Sequence, residues 1–133
     1  KHKLLDSNVV AVLPAFGSFV ALTYEGHGSR GRSVQVRVEA GRAEVIKTVD
    51  LPAAPYDGVV DSDGSVLVVT GKGLLRLSPD LHVRPLLHAD WWLLHPVNLA
   101  LGQGGIVYVG MRGLVVEVQT STEPSKQTWL YPF

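Results

Sequence analysis

The sequence predicts an all-β protein, and three observations carry that prediction. Hydrophobic residues make up 46% of the chain, punctuated by 14 glycines and 8 prolines, a mix that suits short strands joined by tight turns. Apolar residues alternate with polar ones or run in short blocks, and no window carries a convincing helical stripe. The pattern also recurs. PYDGVVDSDGSVLVVTGKGLLRL from Pro55 aligns with PVNLALGQGGIVYVGMRGLVVEV from Pro96, placing Pro55 on Pro96, Asp57 on Asn98, Gly64 on Gly105 and Gly73 on Gly113. The offset is 41 residues, falling to 40 after a one-residue gap at the second turn. A weaker, earlier copy, VVAVLPAFGSFVALTYEGHGSRGRSVQVRV, carries its extra length in the YEGHGSRGRS hairpin.

Each copy divides into four strands, and the 133 residues read as one domain. The first copy, about 8–51, predicts strands at 9–13, 18–25, 33–39 and 43–51. Within it SVQVRVEA alternates strictly, as a strand with one solvated face should, and EAGR supplies a turn. The second copy, about 55–90, predicts strands at 57–62, 65–70, 74–78 and 83–88, separated by SDG, GKG and SPD. The third, about 96–133, predicts strands at 98–102, 106–110, 114–119 and 127–133, with turns at GQGG, MRG and EPSK. SVLVV and IVYVG are continuously apolar, which predicts strands covered on both faces. LLHADWWLL, 86–94, is the one helix candidate, and it is short and lacks a clear cap; in the alignment HADWWLLHP, 88–96, is the crossover from the second copy to the third.

Four antiparallel strands recurring every 40 to 47 residues is the pattern of β-propeller blades. PYDGVVDSDGSVLVVTGKGLLRLSPD and HPVNLALGQGGIVYVGMRGLVVEV resemble blades of the NHL, SMP-30/gluconolactonase and YncE-like propellers. Residues 55–119 carry the resemblance well and the first copy weakly, and the Gly-His and Trp-Asp pair of WD40 repeats is missing. The resemblance implies three propeller-like blades, where a closed ring takes four to eight. Three completions follow: a second copy making a six-bladed ring, another chain or the rest of a longer protein supplying blades, or a different all-β object, a sandwich or barrel. The SMP-30 likeness also implies a metal-dependent lactonase or hydrolase with an asparagine ligand near Asn98. That family's asparagine directly follows a proline, whereas here Val97 intervenes.

Composition narrows the function. Twelve basic residues balance twelve acidic ones, which argues against nonspecific nucleic-acid binding. There is no cysteine, hence no disulfide or thiol chemistry. No apolar run approaches the roughly 20 residues of a membrane-spanning helix. The start, KHKLLDSNVVAVLPAFG, is interrupted by Asp6 and Asn8 and does not read as a signal peptide. A soluble protein is expected, cytoplasmic or exported after signal removal.

In a blade repeat, the crossovers and the turns between second and third strands share one rim. That rim would gather Tyr24, Tyr56, Trp91, Trp92, His27, His88, His95, Arg30, Arg32, Lys72 and Arg112. Aromatic side chains anchor protein interfaces and small ligands, and the arginines suit anionic partners. A calcium or zinc site is the rival use, drawing its ligands from Asp57, Asn98, His88, Asp90 and His95. The plainer account has Asp57 and Asn98 capping strand ends or stabilising turns. DSDGS (61–65) lacks the later acidic residue of a calcium loop, GHGSRG precedes no helix, and no G-x-S-x-G elbow exists, so no catalytic residue is named. The expectation is a non-catalytic binding module without a cofactor, using its aromatic- and histidine-rich rim for a protein or small ligand. It would assemble with a second copy or another chain. The rivals are the lactonase and a purely structural part of a larger propeller.

Overall fold

The computed structural model describes residues 8–25, 30–80, 82–89 and 98–130. Among these described residues twelve strands form three four-stranded antiparallel sheets, each a meander in chain order, and none closes into a barrel. The first sheet holds β1 (Asn8–Ala15), β2 (Ser18–Glu25), β3 (Arg30–Glu39) and β4 (Arg42–Leu51). The second holds β5 (Pro55–Val60), β6 (Val66–Thr70), β7 (Gly73–Leu77) and β8 (Val83–His88). The third holds β9 (Asn98–Leu101), β10 (Ile106–Met111), β11 (Leu114–Gln119) and β12 (Lys126–Leu130). No helix occurs among the described residues, and none is long and apolar enough to cross a membrane.

The strands fall close to where alternation and turn residues put them. β3 starts at Arg30 because its ladder with β2 continues to the pair Glu25↔Arg30. β5 starts at Pro55 because a bulge at Tyr56 lets the ladder resume at Asp57↔Val69. The one-residue gap in the alignment disappears. Gly58 pairs Val68 and Val69 pairs Leu74; Leu99 pairs Val109 and Gly110 pairs Val115. The second and third sheets therefore correspond at a constant 41 residues. Gly73 matches Leu114 rather than Gly113: it is a strand residue opposite Thr70, while Gly113 lies in the turn.

The sheets stack in chain order through their first strands, β1 against β5 and β5 against β9. Directly paired residues share a face, so the pairs identify what each face carries. One face of the second sheet, with Val66, Val68, Leu75 and Leu77, packs on Val20 and Leu22 of the first. Its other face, with Leu67, Val69 and Leu74, packs on Val107, Val109, Val116 and Val118 of the third. β6 is thus buried along its whole length, as its unbroken apolar run requires. A valine or leucine buried this way contributes about 1.5–3 kcal/mol.

β10 breaks the parallel. IVYVGM alternates between half-buried and buried, because only the face toward the second sheet is covered. The sequence expectation of cover on both faces fails here for want of a neighbouring layer.

Candidate functional site

The rim is a consequence of the meander. Strand direction alternates, so the ends of β2, β4, β6, β8 and β10 and the starts of the strands that follow them lie at one end of each sheet. Tyr24, Arg30, Tyr56, His88 and Arg112 all fall there. Tyr24 is half-buried where β2 pairs Asn8 and Gly31. Tyr56 is exposed at its bulge. A Cβ added to Gly71 in the β6–β7 turn would lie 3.4 Å from the Tyr56 ring, so the ring leans over that turn. His88 is exposed at the end of β8, opposite Gly73. The next residue, Ala89, donates its N–H to the Lys72 carbonyl at 2.8 Å and fixes where the crossover departs. Arg30 and Arg112 are exposed, whereas Arg32 bridges Glu25 at 2.9 Å and Asp50 at 3.3 Å. That pairing takes Arg32 out of a cationic patch. Trp91, Trp92, Asp90 and His95, like His27, lie outside the described residues.

Asp57 and Asn98 hold equivalent positions and have definite work in the packing. The Asp57 carboxylate crosses to the third sheet, where its Oδ2 accepts the backbone N–H of Leu99 at 2.8 Å. The bond links the first strand of one sheet to the first strand of the next. Asn98 lies over its ladder partner Gly110: a Cβ on Gly110 would sit 2.1 Å from the Asn98 Oδ1. Among the described residues no three His, Asp or Glu side chains come together as a metal cage.

At the opposite end the DSDGS segment is a closed turn. Asp61 N–H donates to the Ser65 carbonyl at 2.8 Å, and Asp63 Oδ1 accepts the Ser65 N–H at 2.9 Å. Arg76 holds both carboxylates, at 3.1 Å from Asp61 and 3.2 Å from Asp63. The Ser65 N–H, and behind it the Arg76 charge, keep the Asp63 carboxyl below the usual carboxylate range despite some desolvation. Beside this turn an open cleft of about 590 Å³ runs between the second and third sheets, lined by Arg76, Arg84, Thr120, Thr122 and Glu123. Arg84 is paired with Glu123 across it. Neither Arg84–Glu123 nor the Arg76 bridge was visible in sequence, since each joins residues that only the sheet registers bring together. A scan against protein-family models found no match to this chain, and neither did a search of curated proteins.

Proposed function

We propose that this chain is a non-catalytic interaction module, an incomplete propeller-type arc that works by docking against another β-sheet. On this reading the rim of Tyr24, Tyr56, His88, Arg30 and Arg112, with Trp91, Trp92 and His95 from the crossover, is the accompanying contact surface for a protein or small ligand. One observation carries the docking reading. Among the described residues no further sheet lies on the outward face of the third sheet, although it has the register with which the second sheet packs on the third. Val115 and Leu130 stand exposed on it. They share it with Glu117, Lys126 and Thr128, and a face that mixes apolar and polar side chains in this way suits a protein interface. Asp57 serves in this reading as an architectural link rather than a metal ligand.

The mass of the particle that contains the chain in the cells producing it is the test. A particle heavier than the 14.4 kDa of one chain is expected. A folded 14.4 kDa particle in that setting overturns the reading.

A further inference from the structure

We infer that the cleft between the second and third sheets, at the end opposite the rim, binds an uncharged, hydroxyl-rich small molecule, a sugar by class. The inference is independent of the docking reading above.

The first ground is how the cleft is built. Val59, Leu67, Arg76 and Arg84 are successive ladder partners, so they share the face of the second sheet that packs on the third. Val59 and Leu67 belong to the apolar join. Arg76 and Arg84 continue the row into the cleft. The facing wall is the segment 120–125 that links β11 to β12. Residues 40–41 make the same connection in the first sheet, so the third sheet spends more chain than reversing a strand requires. That chain is held in shape. Thr120 Oγ1 donates to the Gly105 carbonyl at 2.7 Å, and Thr122 Oγ1 to the Pro124 carbonyl at 3.0 Å. The cleft's 590 Å³ or so lies in the range of small-molecule sites, about 300–1,000 Å³.

The second ground is the hydrogen-bonding capacity left over. The Arg76 side chain is only 20% exposed, yet both its bonds leave from Nη1. Its Nε–H and Nη2 hydrogens have no acceptor among the described residues. Arg84 meets Glu123 through Nη2, and Glu123 receives it on Oε1, which leaves Arg84 Nε and Nη1 and Glu123 Oε2 for a ligand.

Charge decides the class of that ligand. The lining holds Arg76 and Arg84 against Asp63 and Glu123, already bridged in pairs. Asp61 adds a carboxylate on Arg76. An anion would lie among carboxylates, and a cation among guanidinium groups. A hydroxyl accepts from a guanidinium and donates to a carboxylate, so a polyol uses both with the bridges in place. Pro85, Leu86 and Pro124 in the same lining offer apolar surface to the C–H groups of a sugar ring.

The test is NMR of the folded chain, titrated with glucose, galactose, mannose, maltose, lactose and trehalose. At least one of these should shift, saturably, the amides of residues 120–125 and the Nε–H signals of Arg76 and Arg84. Arg84→Ala and Glu123→Ala, both at exposed side chains, should each raise that sugar's dissociation constant about fivefold, the size of one net hydrogen bond. Glucuronate, a sugar ring bearing a carboxylate, should bind no better than glucose. Tighter glucuronate binding would make the cleft an anion site and overturn the inference. So would the absence of a saturable shift with every sugar, or affinity indifferent to both substitutions. Shifts confined to Tyr24, Tyr56 and His88 would also overturn it, by moving the sugar to the rim.

Discussion

Asp57 joins two sheets with one side chain. Asp57→Ala would leave the part-buried Leu99 N–H without its acceptor, at a cost of about 1–2 kcal/mol. Asp57→Asn keeps an oxygen at the same place and should recover most of the loss. Urea denaturation of the three proteins separates these outcomes: equal midpoints for Ala and wild type would deny the link any weight. Asp63 supplies a pH dependence. Its native carboxyl titrates below the ordinary value, so its contribution is complete above that value and is lost as pH falls through the lowered native one. Across about pH 5 to about pH 3 wild type should lose more stability than Asp63→Asn. The difference will be small because the group is largely exposed. At this scale the sequence reading placed Asp57 and Asn98 as equivalents. It did not reveal what Asp57 holds, because the Leu99 amide is 42 residues away and only the spacing of the sheets makes it a neighbour.

Two glycines set how closely the elements approach. A Cβ at Gly58 would lie 2.6 Å from Leu22 Cδ1 and 2.9 Å from Leu13 Cδ1. The first sheet therefore packs directly onto the backbone of β5. Gly58→Ala should cost about 1–3 kcal/mol by overpacking. Gly73 is more tightly constrained, with φ of 137° and a Cβ position 1.9 Å from the Leu87 carbonyl oxygen. Gly73→Ala should cost about 3 kcal/mol or more and loosen β8. Amide hydrogen exchange would show protection lost first along β7–β8; uniform loss across all three sheets would contradict that local account. Turn residues and alternation made the strands themselves legible, including the full burial of β6. Gly73 misled the alignment because a glycine needed for close approach looks the same in sequence as one needed in a turn. β10 misled for another reason: its apolar run promises two neighbours, and the described residues supply one.

For the whole molecule, the number, order and grouping of the strands followed from the repeat, while the rim was legible only as a topological position. Tyr56 and His88 reach that rim as read, but the crossover holding Trp91 and Trp92 lies outside the described residues. The outward face of the third sheet sets Val115 and Leu130 beside Glu117, Lys126 and Thr128. Any assembly through it should rest on apolar burial more than on ion pairs, since one carboxylate and one ammonium leave the face without net charge. The sedimenting mass should then hold, or rise, between about 0.05 M and about 1 M salt, where screening would dissolve a charge-driven complex. Dissociation at high salt would mean the exposed arginines of the rim carry the contact instead.

The bond from Leu99 to Asp57 is given by a backbone amide, which every residue except proline possesses. The join therefore senses where a strand lies and is blind to what the strand is made of. Residue 99 can drift among apolar types with the joint intact, while proline there would cut it outright. Only one side of the joint, the acceptor at position 57, has to be remembered by the sequence. A layered protein fastened in this way can change its spelling widely and still keep its layers in order.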